Sequence, residues 1–152
     1  MIMKIQELNP AEYPAREIRL IVIHCSATRC NVPFTPAQLE ACHRARGFNG
    51  IGYHYYITRD GRVHNTRPLE RAGAHAYGWN LHSVGICYEG GLSAEGKPAD
   101  TRTTFQKASL LELLSSLRSR YPDTVVKGHY QLGPNVRKAC PCFDAEKEYS
   151  VA

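Results

Sequence analysis

Apolar residues along the chain fall into short runs that predict strands separated by helices. The run over residues 19–23 is continuous and β-branched, which is typical of a strand buried on both faces of a sheet. It places His24 at its C-terminal end, where α/β sheets commonly form ligand crevices. Residues 83–89, stopped by Gly90-Gly91, and residues 125–128 are the other strand candidates of this kind.

A hairpin is predicted between residues 51 and 65. Two segments rich in β-branched and aromatic residues, 51–59 and 62–65, flank the dipeptide Asp60-Gly61. An Asp-Gly pair in this position favours a tight turn, because that turn requires positive φ. The hairpin therefore supplies antiparallel pairing and displays Tyr53 and His54 near its start.

Helix-capping signals predict two helices and one final helical turn. Thr35-Pro36-Ala37-Gln38 combines an N-cap, a proline at the first helical position and a capping box, and Gly47 ends the helix. The longest helix is expected from Thr103 or Thr104 to Tyr121, with leucines at helical spacing and a proline after it. Asp144 is expected to cap a last turn over residues 144–149.

Strands interleaved with helices predict an α/β fold with a central mixed β-sheet flanked by helices.

Length and charge narrow the class of protein. A chain of 152 residues suits one domain, which we place at residues 18–152 after a polar, proline-containing lead-in over residues 1–17. The sequence shows no apolar stretch of membrane-spanning length and no N-terminal signal core. The net charge of +5 favours anionic partners, but the basic residues are scattered, which argues against a nucleic-acid-binding domain. We expect a monomer that is cytoplasmic at synthesis.

The six cysteines do not form the dense pattern of a disulfide scaffold. Cys25 and Cys87 lie in strand-like runs and are expected to be buried free thiols. Cys30 and Cys42 could be bridged, although spacing alone does not establish the required geometry. Cys142 could compete as a metal ligand or pair with another cysteine.

Three residues are candidates for a metal site. His24 and His129 each follow a predicted strand, and Cys140 lies in a proline-containing loop. A catalytic zinc ion takes three such protein ligands and leaves a fourth position for water. The spacing of eleven residues between His129 and Cys140 does not by itself name a metal, so packing histidines and a free thiol remain the alternative.

The chain resembles the zinc-dependent N-acetylmuramoyl-L-alanine amidases, a family that includes small phage amidase lysozymes and peptidoglycan recognition proteins. The resemblance covers about residues 18–146, and six motifs stand in the family's order. They are Ile23-His24-Cys25-Ser26-Ala27-Thr28, Gly52-Tyr53-His54-Tyr55, Arg59-Asp60-Gly61-Arg62-Val63, Gly73-Ala74-His75, Asn80-Leu81-His82-Ser83-Val84-Gly85-Ile86 and Lys138-Ala139-Cys140-Pro141.

The resemblance implies a zinc ion held by His24, His129 and Cys140, with Tyr53 and Lys138 as catalytic residues beside it. The reaction implied is hydrolysis of the amide between the lactyl group of N-acetylmuramic acid and L-alanine of the peptidoglycan stem peptide. A non-catalytic peptidoglycan-binding module of the same fold is the alternative. Such modules generally lack the zinc cysteine, so the presence of Cys140 argues for the enzyme.

Three further residues are expected near the substrate groove or behind the metal ligands, namely His54, His75 and Asn80. The segment between His129 and Cys140 is longer than in compact phage enzymes, through residues 132–136, which we expect to reshape the groove wall. The expected substrate is either polymeric peptidoglycan, attacked after release as by a phage or prophage lysis enzyme, or small muropeptides in the cytoplasm.

Overall fold

A computed structural model describes residues 16–133 and 139–150 of the chain. This part of the chain forms seven strands and three α-helices. The strands are β1 (Leu20–Cys25), β2 (Thr28–Arg29), β3 (Tyr55–Ile57), β4 (Val63–Asn65), β5 (Ser83–Tyr88), β6 (Gly91–Leu92) and β7 (Val125–Gly128). The helices are α1 (Pro36–Ala45), α2 (Thr104–Arg120) and α3 (Ala145–Glu148), and short 3-10 helices cover Asn80–His82 and His129–Leu132.

Five strands form one mixed sheet in the order β4-β3-β5-β1-β7. Its pairs are parallel except for the antiparallel hairpin of β3 and β4, which confirms the predicted mixed α/β fold. β1 lies between β5 and β7, with Val22 beside Gly85 on one side and Lys127 on the other. The carboxyl ends of the four parallel strands β3, β5, β1 and β7 therefore lie at one edge, where His24 is the penultimate residue of β1.

The predicted hairpin is confirmed, but its first strand begins later than expected. Gly61 has the positive φ of 85° that the turn requires. Regular pairing starts at Tyr55, because the backbone before it approaches another segment closely: a Cβ at Gly52 would lie 2.0 Å from the carbonyl oxygen of Ala74. Tyr53 and His54 therefore precede β3 and are not part of it.

The predicted helix termini are also confirmed. Thr35 and Gln38 form the capping box of α1, and Thr103 and Gln106 form the equivalent box of α2. Asp144 caps α3 by accepting a hydrogen bond from the backbone N–H of Lys147 at 3.0 Å, as expected. The caps satisfy N–H groups that a helix leaves without an internal partner.

The two faces of the sheet have different coverings. On one face, α2 covers a continuous apolar core, whose members include Ile21, Ile23, Val84, Ile86, Leu110, Leu114, Leu117 and Val126. On the other face, Leu39 of α1 packs with Tyr56 and Cys87. Because side chains alternate along β1, His24 lies on this second face with Leu20 and Val22.

Several features of the structure were not predicted. β2 and β6 form a second, two-stranded parallel sheet.

The cysteines of the described residues are free thiols, so the possible bridge between Cys30 and Cys42 is absent. Cys25 and Cys87 are buried, as predicted. Cys142 donates to the carbonyl oxygen of Gly91 at 3.3 Å. Among the residues described, no helix is both long and apolar enough to cross a bilayer.

The predicted lead-in over residues 1–17 lies outside the described residues except for its last two positions. Arg16 is bound to the domain, because its guanidinium donates hydrogen bonds to the carbonyl oxygens of Leu69 at 2.6 Å and Ser83 at 3.0 Å. It also donates to the carbonyl oxygens of Asn80 and Leu81. The side chain at the predicted end of the lead-in thus fixes the segment that precedes β5.

Candidate active site

The three candidate metal ligands come from three places in the fold and meet at one edge of the sheet. His24 is almost fully buried near the end of β1. His129 begins the 3-10 helix that follows β7. Cys140 lies beside this helix, because its carbonyl oxygen accepts a hydrogen bond of 3.0 Å from the backbone N–H of Tyr130. The ligand atoms of the three residues lie within 4.8 Å of one another.

The donor set fits a zinc ion. Two imidazoles and one thiol, all within reach of a single ion, are ligand types that zinc accepts in catalytic sites. The backbone N–H of Cys25 points at the Cys140 sulfur at 3.1 Å. A metal-bound cysteine is a thiolate, and a thiolate accepts hydrogen bonds from N–H donors of this kind. The sequence-predicted ligands are therefore arranged as one metal ion would require.

A pocket of about 460 Å³ opens in front of these ligands. His24, His129 and Cys140 contribute to its wall, together with Tyr53. Such a pocket would leave one side of a metal ion held by these residues accessible to water and substrate.

Tyr53 lies beside the candidate ligands. Its ring centroid is 4.9 Å from that of His24. Burial, with the nearby Cys87 and Cys140 thiols, raises the pKa of Tyr53 well above its usual value. The phenol therefore stays protonated at neutral pH and can donate a hydrogen bond. Lys138, the other predicted catalytic residue, lies outside the described residues.

His75 and Asn80 both reach the pocket and are linked to each other. The Nδ1 atom of His75 lies 2.8 Å from Nε2 of His24, so the side chain contacts a candidate ligand directly. The side-chain oxygen of Asn80 accepts hydrogen bonds from the backbone N–H groups of His75 at 2.9 Å and Ala76 at 3.0 Å. Burial holds the pKa of His75 well below its usual value, so its imidazole is neutral.

His54, which was expected at the substrate groove or behind the metal ligands, does not contribute to the pocket wall. The side chain is fully buried, with Nδ1 accepting from the backbone N–H of Gly85 at 3.0 Å and Nε2–H donating to the carbonyl oxygen of Arg71 at 2.8 Å. Burial lowers the pKa of His54 to about 3. With both ring nitrogens used internally, His54 joins the loop before β5 to the sheet beneath the site.

His43 of α1 is a residue of the pocket wall that the sequence pattern does not identify. The side chain is buried, and its Nδ1 accepts from the backbone N–H of Gly52 at 2.9 Å. Its ring also lies 5.3 Å from that of Tyr53 and contributes to the pocket. Helical periodicity can indicate which face of α1 is buried, but it contains no signal for a pocket on that face.

Comparisons with known proteins agree on one family. The sequence profile of the family described as N-acetylmuramoyl-L-alanine amidase matches residues 14–143. The endolysin of Enterobacteria phage K11 is 36% identical over 132 residues, covering 87% of this chain and 85% of that protein. The endolysin of Escherichia phage T7 is 36% identical over 127 residues, covering 84% and 82% respectively.

Solved structures show the same fold. The N-acetylmuramoyl-L-alanine amidase LysC from Clostridium intestinale is 31% identical, with a TM-score of 0.72 over 88% of this chain and 82% of that one. The bumblebee peptidoglycan recognition protein SA is 23% identical, with a TM-score of 0.71 over 97% and 92%. At that lower identity the likeness concerns the fold alone.

Proposed function

The chain belongs to the N-acetylmuramoyl-L-alanine amidase family, and from this premise we propose a zinc enzyme whose metal is held by His24, His129 and Cys140. Membership confirms the resemblance drawn from the sequence motifs. The activity is hydrolysis of the amide that joins the lactyl group of N-acetylmuramic acid to L-alanine of the stem peptide. The observation that carries the zinc proposal is the convergence of three ligand atoms within 4.8 Å.

The proposed ligands would leave a bound zinc ion with a net charge of +1, from two neutral imidazoles and one thiolate. Zinc in such a site lowers the pKa of bound water toward neutrality and polarises a carbonyl. The protein supports this by holding the Cys140 sulfur with the N–H of Cys25 and by burying His24.

Tyr53 is proposed to stabilise the charge that develops on the attacked carbonyl. Its high pKa keeps the phenolic proton in place, and its ring lies against His24 at the pocket wall. A donor placed where negative charge develops contributes more to the transition state than to the ground state. Lys138 is proposed to place its ammonium at the same oxygen, on the basis of its position two residues before Cys140 in the family motif.

Peptidoglycan is the proposed substrate. Several of the relatives are endolysins of phages, and on that basis we propose that the enzyme acts on the cell wall after release. Arg46 and the fully exposed Tyr77 line the pocket and suit an anionic, partly saccharide polymer. The expected monomeric state and the choice between polymer and small muropeptide remain predictions.

The Cys140→Ser variant tests this proposal. A hydroxyl stays neutral and is a poor zinc ligand. Loss of a hydrogen-bond partner behind a metal ligand typically costs roughly 10–100-fold in metal affinity or activity. We expect loss of the ligand itself to lower zinc affinity and the release of stem peptides from purified walls by more than this. Cys42→Ser is the matched control, since Cys42 is an exposed thiol on α1. Unchanged release by Cys140→Ser, with the fold intact, would contradict the proposed ligand set.

A further inference from the structure

We infer that His75 and Ser83 position the zinc ligand His24 by fixing which of its ring nitrogens faces the metal. The inference rests on the proposed function, because it takes His24 to be a zinc ligand. It assigns His75 a role behind the metal ligand, distinct from contact with the substrate.

The order of hydrogen bonds follows from two distances. Nε2 of His24 lies 2.8 Å from Nδ1 of His75, so Nε2 of His24 faces His75. We assign the opposite ring nitrogen, Nδ1, to the metal. A metal-bound histidine usually donates its other N–H to an acceptor, so Nδ1 of His75 has to accept. A neutral imidazole carries one proton, which in His75 is then on Nε2. That atom lies 3.2 Å from the hydroxyl oxygen of Ser83, which accepts from it.

The backbone of His75 is held independently of its ring. The side-chain oxygen of Asn80 accepts from the N–H groups of His75 and Ala76. The carbonyl oxygen of Asn80 in turn accepts from the Arg16 guanidinium at 3.2 Å. The segment that carries His75 is therefore fixed to the start of β5, the strand that also supplies Ser83.

Two glycines leave the space that the His75 ring occupies. A Cβ on Gly85 would lie 2.6 Å from Cδ2 of His75, and a Cβ on Gly73 would lie 2.5 Å from the same atom. Contacts this short do not occur between real side chains, so any larger residue at either position would displace the ring. The imidazole is thus confined between two backbone segments, which favours the single orientation that both hydrogen bonds require.

Zinc affinity of the full chain tests the inference, measured by competition with a chromophoric chelator at fixed pH. In His75→Leu the acceptor for His24 is lost, and we expect affinity to fall about 10–100-fold. In His75→Asn the amide oxygen can take the place of Nδ1, and we expect most of the affinity to be retained. His64→Leu is the control, because it removes a buried imidazole of β4 that contacts Thr58 at 3.2 Å.

Equal zinc affinity of His75→Leu and wild type would overturn the inference while leaving the three-ligand proposal intact. Failure of the wild type to bind zinc at all would instead overturn both. If His75→Leu does not fold, the wild type decides: in the zinc-loaded, nitrogen-15-labelled protein, we expect long-range NMR correlations to show His24 and His75 each protonated on Nε2. A proton on Nδ1 of His75 would contradict the inference.

Discussion

The two faces of the central sheet are built from the same strands but filled in different ways. On the face covered by α2, β5 contributes Val84 and Ile86 to a close apolar core. On the opposite face the same strand contributes Ser83 and Gly85, which are small, and the space above them is occupied by the His75 imidazole. One face is therefore specified by the volume of its apolar side chains, and the other by the space that small residues leave for polar rings.

The register of the strands extends this difference to His24, a proposed metal ligand. Ser83 and Gly85 of β5 lie beside Leu20 and Val22 of β1, and His24 lies beside Cys87. The small side chains therefore stand directly next to β1, in which His24 is the penultimate residue. We call the face that carries Ser83, Gly85 and His24 the site face. We expect substitutions on the α2-covered face to change stability alone, and substitutions on the site face to change both stability and zinc binding.

The largest stability effect is expected at the centre of the α2-covered face. Leu114 is 1% exposed, and Leu114→Ala should lower the free energy of unfolding by about 2–5 kcal/mol through lost burial and an incompletely filled cavity. Urea denaturation measures this. Leu111→Ala on the same helix is the control, because Leu111 is 62% exposed and its loss should cost less than about 0.5 kcal/mol. Loss of zinc binding by folded Leu114→Ala would contradict the expectation that this face affects stability alone.

Acid should destabilise the protein through the site face. The pKa of His54 is lowered from 6.5 to about 3 by burial, so the unfolded chain takes up this proton at a higher pH than the folded one. Above about pH 6.5 His54 is neutral in both the folded and the unfolded chain, so it does not lower the free energy of unfolding. As the pH falls from 6.5 toward 3, only the unfolded chain takes up the proton, and the free energy of unfolding declines. The contribution is at most about 1.4 kcal/mol per pH unit.

Urea denaturation between pH 7 and pH 4, with a chelator present so that zinc release does not contribute, measures this dependence. His54→Asn removes the titrating group, and its amide oxygen can still accept from Gly85 N–H. We expect a shallower loss of stability with falling pH in this variant. The same slope in both proteins would exclude His54 as a source of the pH dependence.

Enlarging the site face should have a smaller effect on stability and an additional effect on zinc. Gly85→Ala places a methyl group against the His75 ring, and overpacking of this kind costs about 1–3 kcal/mol. Zinc affinity should fall as well, because His75 would be displaced from His24. Gly133→Ala is the control, since a Cβ there meets nothing within 4 Å. Gly85→Ala with unchanged zinc affinity would show that the space above Gly85 does not position the ligand.

The smallest effect is expected at the start of α2, the helix that covers the apolar face. The Thr103 hydroxyl accepts from the backbone N–H of Gln106 at 3.0 Å, and Thr103→Ala should cost about 1 kcal/mol. Thr103→Ser keeps the hydroxyl and should restore most of this stability. Thermal unfolding distinguishes the two variants, and equal losses in both would mean that the cap is not the source.

Much of the fold could be predicted because local sequence carries its signals. The caps at Thr35 and Thr103, the Asp60-Gly61 turn and the apolar run of β1 each act over a few residues, and the structure confirms them. The boundary of β3 could not be predicted from such signals. It depends on the close approach of Gly52 to Ala74, which are distant in sequence.

The candidate site could be predicted from the sequence only in part. Family motifs identified His24, His129 and Cys140, which the structure brings together, yet no local pattern distinguishes His75 from His54. One ring contacts His24, and the other is fully buried against Gly85. Which of the two occurs is decided by how the loop before β5 is held, and Arg16 holds that loop through long-range contacts to carbonyl oxygens. Those contacts leave no periodic signal.

We propose that His24, His129 and Cys140 hold one zinc ion that the amidase needs. Metal content and wall hydrolysis measured together on the purified protein, before chelation, after chelation and after zinc is restored, test it most directly. We expect one zinc ion per chain, with new L-alanine amino termini that disappear on chelation and return with zinc. Full hydrolysis by protein that contains no zinc would contradict the account.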